Sequence, residues 1–395
     1  MTCSLLIRGV TWQRDSHGLF DYESRQTSTK SFKTQSNCKL IRNQNALELQ
    51  SLSKDISLLS EEAKSLCQIR YDDCKLLSRA ECFYLENLNE QLIDYNDEHA
   101  VSQRDEAPDR LWLVIRSLRG QEGQRVNSNS PLQEYKIEKF DTIKLGRVKF
   151  RIKDKKTAHM QLCSQELLSQ ELKEAKEVRV SAEETPECHC RFCWENWSTV
   201  EDPLITPCKC AGSVGLLHYS CLCKWLEGKV SKKTHADDTV TSYSWKSFEC
   251  EICKQAYPYS FKKGGKLYKL FKIDEPRSSN YLVLESLPLD KNTSRMVHVL
   301  SVTEQKKEFH LGRGHESEVR VNDISVSRLH ATIRYNPDGF TISDNKSKFG
   351  SLVLVRGRYH LALDQTQAMQ VGRSVVSFTL RDFKSEILRQ KEKQE

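Results

Sequence analysis

The sequence predicts a multidomain fold, in which an α-helical N-terminal region and a small β-rich segment precede a compact cysteine-rich domain and a C-terminal antiparallel β-sandwich. Three observations support this prediction. Of the 395 residues 29% are charged and the mean hydropathy is −0.62, which favours compact modules joined by solvated segments over one large core. Nine of the 15 cysteines fall between Cys188 and Cys253. Short alternating apolar stretches follow them, as is typical of all-β domains.

The N-terminal part is expected to begin with little structure and to continue as helices. Residues 1–44 are rich in Ser, Thr, Lys and Asn and lack an apolar period, so we expect them to be disordered or loosely structured. From residue 45 to residue 69 apolar side chains recur three or four positions apart, which indicates an amphipathic helix. They are Leu52, Ile56, Leu59, Ala63 and Leu66. A second helical stretch and an acidic linker complete a helical region over residues 45–107.

A β-rich segment is predicted over residues 108–156. Alternating apolar and β-branched residues indicate strands there, separated by a stretch rich in Gly, Asn and Ser. The order of Tyr, apolar alternation, Gly-Arg and Phe in this segment is repeated at residues 359–380, so we expect a reduced sandwich-like unit. A short exposed helix from Leu162 to Val178 is predicted next, within a helix or linker segment at residues 157–181.

The composition indicates the cellular compartment of the protein and excludes some classes of partner. The sequence holds no apolar run of about 18 residues and no signal-peptide pattern, so we expect a soluble protein of the cytoplasm or nucleus with no membrane partner. Cysteines in such a compartment serve as reduced thiols or metal ligands. The net charge is +7, but 61 basic and 54 acidic residues are mixed along the chain, which argues against a nucleic-acid partner.

Eight residues of the cysteine-rich stretch form pairs with the spacing that tetrahedral zinc requires. The pairs are Cys190 with Cys193, Cys208 with Cys210, His218 with Cys221, and Cys250 with Cys253. Two closed sites would use all eight ligands and leave no coordination position for a catalytic water. We therefore predict structural metal sites and no catalytic residue. Cys188 could replace Cys190, although the pair that starts at Cys190 has the better turn spacing.

The ligand order of four Cys, one His and three Cys resembles the RING-CH family of ubiquitin ligase domains over about residues 187–258, and we assign residues 182–260 to this domain. The resemblance implies a cross-brace with two zinc ions. One ion would be held by Cys190, Cys193, His218 and Cys221, and the other by Cys208, Cys210, Cys250 and Cys253. The plant homeodomain finger, which reads histone tails, shares this order, but it usually has a wider second pair and a shorter run to the histidine.

The same resemblance implies a docking surface for a ubiquitin-conjugating enzyme. Trp225 lies four residues after Cys221, one helical turn beyond a ligand, and in RING-type domains this tryptophan helps to bind the conjugating enzyme. Phe192 and Pro207 occupy the other contact positions of the family. The alternative for all three residues is packing inside a small zinc-stabilised core.

After a linker at residues 261–279, eight strand candidates predict a sandwich at residues 280–383, followed by a tail at 384–395. The turns "LGRG", "SRLH" and "DNKSKFGSL" resemble those of the forkhead-associated (FHA) family, which binds phosphothreonine. The resemblance implies phosphate contacts from Arg313 and Ser327. Lys348 can supply a further charge where the family often has threonine. It also implies structural roles for Gly312, His330 and Gly350.

Together these features predict a soluble RING-CH-type E3 ubiquitin ligase. The zinc domain would recruit a charged conjugating enzyme and the sandwich would select partners that carry phosphothreonine. Such a ligase needs no nucleophile of its own, because restricting the motion of the ubiquitin thioester near a substrate lysine lowers the barrier. The alternative is a non-enzymatic, phospho-dependent scaffold in which both modules only bind proteins. A sandwich that has lost its ligand is the alternative for the FHA-like part.

Overall fold

The computed structural model describes residues 3–14, 18–43, 46–52, 63–71, 83–86, 110–116, 134–156, 188–246, 248–258, 260–271, 273–274, 276, 278–287 and 294–382. The chain forms two compact units. The β unit comprises Met1–Ile152 and Glu308–Glu395, and the cysteine-rich unit comprises Lys153–Lys307. The β unit is therefore assembled from two stretches of chain that flank the other unit in the sequence.

The elements are almost entirely β-strands. Before the cysteine cluster they are β1 (Cys3–Trp12), β2 (Thr27–Thr34), β3 (Cys38–Asn43), β4 (Ala46–Ser51), β5 (Ala63–Tyr71), β6 (Phe83–Glu86), β7 (Trp112–Val114), β8 (Glu134–Lys136), β9 (Thr142–Leu145) and β10 (Val148–Lys156). From the cluster onward they are β11 (Leu204–Ile205), β12 (Leu217–His218), the helix α1 (Tyr219–Glu227), β13 (Ser231–Thr234), β14 (Val240–Trp245), β15 (Ser260–Lys263), β16 (Lys266–Lys269), β17 (Tyr281–Leu287) and β18 (Arg295–Ser301). The rest are β19 (Glu308–Gly312), β20 (Val319–Arg320), β21 (Ala331–Asn336), β22 (Gly339–Asp344), β23 (Ser351–Leu354), β24 (Arg358–His360), β25 (Thr366–Val371) and β26 (Ser374–Asp382).

Strands from both stretches of the chain alternate in the sheets of the β unit. One sheet has the order β9-β23-β7-β25-β26-β1-β2, a second has β20-β19-β21-β22-β8, and a third has β24-β6-β5-β3-β4. Strands β19 and β20 run parallel, whereas the other neighbours in these sheets run antiparallel. Buried aromatic side chains fill the core, among them Phe83, Phe309, Phe340 and Phe378. Burial of this apolar surface is the main stabilising term of the unit.

The sequence repeat appears as two equivalent hairpins. Strands β9 and β10 are joined by Gly146 and Arg147, and strands β25 and β26 are joined by Gly372 and Arg373. Both glycines have a positive φ, 58° and 56°, which the two-residue turn of a hairpin requires and which glycine adopts at little cost. The first hairpin does not form a separate reduced sandwich, because β9 pairs with β23 of the C-terminal stretch.

The predicted α-helical N-terminal region is wrong. Residues 46–51 and 63–71 form the strands β4 and β5, which both pair with β3. Leu66 and Ile69 are buried in β5. In a segment of only nine residues, apolar residues three positions apart do not distinguish a helix from a strand. Ile56 and Leu59, which belonged to the predicted helical face, lie outside the described residues. Strand pairing with β3 therefore overrode the helical pattern.

Residues 1–44 are also more ordered than expected, because β1, β2 and β3 lie in them. In β1, Leu5 and Ile7 are two positions apart and both are buried, as an alternating strand requires. The polar composition misled the prediction, because β2 is an edge strand in which Thr29, Lys30, Ser31 and Lys33 are exposed to solvent.

Two predicted boundaries also shift. Strands β17 and β18, which were assigned to the C-terminal sandwich at residues 280–383, pair with each other, and β18 pairs with β14 in the cysteine-rich unit. The predicted linker at residues 261–279 contains most of the hairpin β15–β16. The predicted helix from residue 162 to residue 178 and the tail at 384–395 lie outside the described residues. No helix in the described part of the chain has both the length and the apolar character needed to cross a bilayer.

The cysteine-rich unit is built around helix α1 and short antiparallel strands. The order β13-β14-β18-β17 forms a sheet, and β11–β12 and β15–β16 form hairpins. Leu222 and Leu226, one helical turn apart, bury one face of α1 against Ile205 and Leu217. Helix α1 begins immediately after His218. The side chain of His218 at the end of β12 therefore lies close to that of Cys221 in the first turn of α1.

Candidate functional site

The structure brings the first set of candidate metal ligands together. One donor atom from each of Cys190, Cys193, His218 and Cys221 lies within 4.8 Å of all the others. Cys190 and Cys193 lie on a turn, His218 ends β12, and Cys221 lies in the first turn of α1. Cys190 and His218 are fully buried. The donor atoms therefore converge at one position, as a tetrahedral ion requires.

The second set converges in the same way. The sulfur atoms of Cys208, Cys210, Cys250 and Cys253 all lie within 4.8 Å of one another. The two sets interleave in the sequence, because the first uses the first and third pairs of ligands and the second uses the other two. This interleaving matches the cross-brace that the family resemblance implies, and it brings distant turns of the chain together.

Two turns with equivalent backbone hydrogen bonds present the first and last ligand pairs. The amide of Cys190 donates to the carbonyl of Glu195 (2.9 Å), and the amide of Trp194 donates to the carbonyl of Cys190 (2.8 Å). Around Cys250, Gln255 and Lys254 make the same two bonds, each at 2.9 Å. Trp194 and Lys254 both have a positive φ, 64° and 58°. We call these turns the first and second knuckle, residues 190–195 and 250–255.

The donor chemistry of both sets suits zinc. Burial acts to raise the pKa of Cys250, but the amides of Cys253 and Ile252 and the guanidinium of Arg191 outweigh it and lower the pKa to about 5. Burial and the neighbouring thiol groups instead raise the pKa of Cys208 to about 12. Several thiolates this close repel one another, so a bound cation is needed to keep all of them ionised. Four sulfur donors, or three sulfur donors and one imidazole nitrogen, are typical ligand sets of structural zinc.

The imidazole of His218 is oriented by a second contact. Its Nε2 lies 2.6 Å from the carbonyl oxygen of Trp197, which makes Nε2 the protonated donor, while Nδ1 faces the sulfur of Cys193 at 3.1 Å. The indole of Trp197 stacks on the imidazole with the ring centroids 4.0 Å apart. This leaves Nδ1 available as a ligand, and such outer contacts usually strengthen metal binding.

The predicted docking residues differ in their exposure to solvent, which Phe192 and Trp225 retain and Pro207 does not. The rings of Phe192 and Trp225 stack with their centroids 6.0 Å apart, and Phe192 is 37% exposed. Trp225 is half-buried rather than fully presented, because Tyr257 packs edge-on against it and the Lys229 ammonium lies 4.0 Å from its centroid. Pro207 is buried and so offers almost no surface to a partner.

Sequence reasoning missed an apolar residue of the second knuckle. Ile252 is 60% exposed, and it precedes Cys253 as Phe192 precedes Cys193. The equivalence of the two ligand pairs was the available signal. Glu251 forms an ion pair with Lys229 (2.9 Å), whose ammonium lies over Trp225, so the second knuckle borders the Phe192–Trp225 stack. We call Phe192, Trp225 and Ile252 the apolar face.

Ser327 connects the loops of the other two candidate phosphate-binding residues of the β unit, Arg313 and Lys348. Its carbonyl accepts a hydrogen bond from the amide of Arg313 (3.1 Å), and its hydroxyl oxygen accepts one from the amide of Lys348 (3.2 Å). The side chains of Arg313 and Lys348 are exposed. A guanidinium, a hydroxyl and an ammonium therefore lie on three loops that meet at Ser327.

The residues predicted to be structural occupy tight positions beneath these loops. His330 is buried; its Nδ1 accepts a hydrogen bond from the amide of Ser327 (3.0 Å) and its Nε2 donates to the carbonyl of Gly350 (3.1 Å). Burial lowers the pKa of His330, which favours this neutral form. A Cβ at Gly312 would lie 1.9 Å from the carbonyl oxygen of Arg328. Gly350 has a φ of 71°.

The N-terminal stretch also contacts the Lys348 loop, which sequence reasoning did not anticipate. The carboxylate of Asp21 lies 3.4 Å from the Lys348 ammonium, and the amide of Tyr22 donates to the Lys348 carbonyl (3.2 Å). The Tyr22 ring packs against Gly350, and its hydroxyl donates to Gln370 Oε1 (3.1 Å). No local pattern marks Asp21, because its partner is brought to it by the pairing of β1 with β26.

Two family models match the chain. Residues 190–253 match the RING-variant domain, and this range contains both sets of four ligands and both stacked rings. Residues 309–362 match the FHA domain, and this range contains Arg313, Ser327 and Lys348.

Several E3 ubiquitin-protein ligases are similar to part of the chain. MARCHF7 of Pongo abelii is 25% identical over 179 residues, which cover 45% of this chain and 23% of that protein. MARCHF7 of Rattus norvegicus is 26% identical over 159 residues, or 40% of this chain and 21% of that protein. The ERAD-associated ligase DOA10 of Saccharomyces cerevisiae is 36% identical over 73 residues, or 18% and 5%. The chain spans less than a quarter of the length of these relatives.

Two solved structures overlap with part of the chain. One comes from a structural and functional analysis of phosphothreonine-dependent FHA domain interactions; it is 23% identical, covers 20% of this chain and 82% of its own, and has a TM-score of 0.13. The other, the FHA domain of CT664 from Chlamydia trachomatis, is 20% identical, covers 26% of this chain and 97% of its own, and has a TM-score of 0.14. The chain thus carries a RING-variant domain at residues 190–253 and an FHA domain at residues 309–362, and it has homologues among the MARCH-family E3 ubiquitin-protein ligases.

Proposed function

We propose that the protein is a RING-CH-type E3 ubiquitin-protein ligase that holds two structural zinc ions. The observation that carries the proposal is the pair of interleaved ligand sets beside an exposed apolar face. One ion would be bound by Cys190, Cys193, His218 and Cys221, and the other by Cys208, Cys210, Cys250 and Cys253. Bound zinc would supply cross-links that fix the two knuckles, because closed sites leave no position for a reacting water.

The residues of the apolar face would bind a ubiquitin-conjugating enzyme. Phe192 and Ile252 precede equivalent ligands; Phe192 stacks on the Trp225 indole, and the Glu251–Lys229 ion pair links the second knuckle to the same indole. Aromatic residues in such positions commonly dominate binding energy, while the charged pair Lys229 and Glu251 forms the polar rim. The protein's own residues then act by binding and orientation, which confines the ubiquitin thioester near a substrate lysine.

The ligase proposal is tested with purified components and a panel of charged conjugating enzymes. We expect Trp225→Ala to reduce ubiquitin discharge at least ten-fold without changing the zinc content, which should be two ions per chain by elemental analysis. Trp194→Ala is the matched control, because Trp194 is 77% exposed on the same knuckle but lies outside the Phe192–Trp225 stack. Wild-type protein that is inactive with every conjugating enzyme would favour the non-enzymatic scaffold.

We further propose that the FHA domain binds phosphothreonine peptides through Arg313, Ser327 and Lys348. A phosphate ester carries nearly two negative charges at neutral pH, and a guanidinium can bind two of its oxygens at once. Arg313→Ala should therefore reduce the affinity for phosphopeptides selected from a library at least ten-fold. Arg328→Ala is the control, because Arg328 is an exposed arginine next to Ser327 in sequence. A library screen without any phosphate preference would remove this function.

We also propose that the protein acts in the cytoplasm or nucleus as a soluble protein. The thiol ligands of both sets must stay reduced, and those compartments keep thiols reduced. Fractionation of cells that express a tagged full-length chain would check this proposal, and recovery of the chain in a secretory fraction would contradict it.

A further inference from the structure

Arg191 has an unusual position between the two ligand sets. Its backbone belongs to the first knuckle, between the ligands Cys190 and Cys193. Its guanidinium nevertheless reaches the second set, where Nη1 lies 3.6 Å from the sulfur of Cys250. The same nitrogen donates to the carbonyl of Val214 (3.1 Å), and Nη2 donates to the hydroxyl of Tyr257 (3.1 Å).

The charges of the two sets make this contact favourable. Three thiolates and a neutral imidazole around a divalent ion carry a net charge of −1, whereas four thiolates carry −2. The second set therefore has the greater need for a nearby cation. Hydrogen bonds from a guanidinium to an ionised acceptor are about twice as strong as neutral ones. Arg191 is half-buried, so solvent screens this contact less than it would a surface pair.

The same side chain also supports the apolar face. The guanidinium carbon lies 5.2 Å from the centroid of the Phe192 ring, and Phe192 in turn stacks on Trp225. The backbone amide of Arg191 donates to the carbonyl of Leu216 (3.0 Å). Tyr257, which accepts the second guanidinium bond, packs edge-on against Trp225. One residue thus contacts both knuckles and both rings that flank the Trp225 indole.

We propose that Arg191 is a positioning residue that couples the two zinc sites, stabilising the Cys250 thiolate of the second site from within the first knuckle. The inference rests on the proposed zinc binding. Loss of Arg191 would leave the second set short of positive charge and would free the two knuckles to move relative to each other. Because outer contacts of this kind typically change metal affinity ten- to a hundred-fold, we expect about a ten-fold effect at the second site.

Metal release from the full-length protein tests this inference without an activity assay. Zinc transfer to a colorimetric chelator is followed for the wild type, Arg191→Ala, Arg191→Lys and the control Lys209→Ala. Lys209 is an exposed basic residue between Cys208 and Cys210, and among the described residues its ammonium makes no hydrogen bond to a ligand sulfur. We expect one of two zinc ions to leave Arg191→Ala about ten times faster, an intermediate rate for Arg191→Lys, and no change for Lys209→Ala.

Cobalt substitution identifies which site is affected, because a site of four sulfurs and a site of three sulfurs and one nitrogen have different absorption bands. In Arg191→Ala the bands of the four-sulfur site should weaken first as chelator is added. Equal release rates in Arg191→Ala and wild type, or preferential loss from the site that contains His218, would overturn the inference. Fewer than two zinc ions in the wild type would instead overturn the proposed function. If Arg191→Ala does not fold, Arg191→Gln keeps part of the aliphatic stem and a polar amide but removes the charge, and the same criteria apply.

Discussion

His298 is a buried histidine in the cysteine-rich unit, where it can be neutral but hardly charged. Its Nδ1 lies 2.8 Å from the hydroxyl of Ser242 on the neighbouring strand β14. Burial lowers the pKa of His298 to about 4, whereas the unfolded chain has a histidine pKa near 6.5. The two states therefore bind different numbers of protons between these values.

This difference predicts a pH dependence of stability. Above about pH 6.5 both states are neutral at His298 and its full contribution is present. As the pH falls toward 4, His298 binds a proton in the unfolded state but not in the folded state. The free energy of unfolding therefore falls by about 1.4 kcal/mol per pH unit. From pH 6.5 to pH 5 this amounts to about 2 kcal/mol. Urea unfolding at several pH values should show that His298→Gln loses less stability than the wild type as the pH falls. Protonation of the cysteine thiolates affects both proteins. Parallel pH profiles would contradict the assignment.

Gly312 allows the close approach of two loops at the candidate phosphate site. Because an added Cβ would lie 1.9 Å from a backbone carbonyl oxygen, Gly312→Ala should push the Arg313 and Ser327 loops apart. We expect a destabilisation of about 1–3 kcal/mol, the usual cost of overpacking, and at least ten-fold weaker phosphopeptide binding. Calorimetric unfolding and peptide titration measure the two effects. Gly228→Ala is the control, because its Cβ would have its nearest neighbour at an ordinary 3.5 Å.

At the scale of elements, the turn between β1 and β2 supplies a carboxylate to a loop of the C-terminal stretch. Asp21 is largely buried, whereas about half of the Lys348 side chain is exposed. A phosphate at Lys348 would compete with this carboxylate and would be repelled by it.

Removing the Asp21 charge should therefore strengthen phosphopeptide binding. We expect Asp21→Asn to raise the affinity two- to five-fold, the range that corresponds to a partly exposed ion pair. Glu23→Gln, two residues away and exposed, should leave the affinity unchanged. The effect should disappear when Asp21→Asn is combined with Lys348→Ala. Weaker binding by Asp21→Asn alone would mean that Asp21 braces the loop rather than competing for it.

The elements show why part of the prediction succeeded and part failed. The alternating strands after residue 308 and the short knuckles are specified by nearest neighbours, because a turn with a positive φ or a two-residue hairpin depends on a few adjacent residues. The N-terminal strands β4 and β5 depend on pairing with β3, and their apolar residues fit a helical spacing equally well. In these segments tertiary strand pairing outweighs the local preference for a helix.

At the scale of the whole molecule, the β unit needs both ends of the chain. Strand β26 pairs with β1, and β23 pairs with β7 and β9, so the matched range 309–362 holds only part of each sheet.

A fragment of residues 280–395 should therefore fail to fold alone. It lacks β1, β7, β8 and β9, whose removal would expose unpaired backbone and the apolar side chains beneath them. We expect poor amide dispersion in nuclear magnetic resonance spectra of this fragment and good dispersion for the full chain. Co-expression with residues 1–156 should restore soluble, phosphopeptide-binding protein. A well-folded fragment would contradict the strand pairing.

Zinc removal should affect the cysteine-rich unit, which contains all eight candidate ligands. A strong chelator would leave clustered thiols without a cation, so we expect loss of structure around Trp197 and Trp225, seen as a red shift of tryptophan fluorescence. Readdition of zinc under reducing conditions should reverse the shift, and magnesium should not. An unchanged spectrum after complete metal removal would contradict a structural role for the metal.

The sequence by itself determined the candidate metal-ligand pairs and the loops that resemble a phosphothreonine site, because these depend on residue types at short, fixed spacings. Only the tertiary structure decided that N-terminal strands complete the β unit, that Asp21 contacts Lys348, and that Arg191 reaches Cys250. These contacts join residues far apart in the chain, and they exist only once strand register and loop closure have brought the residues together.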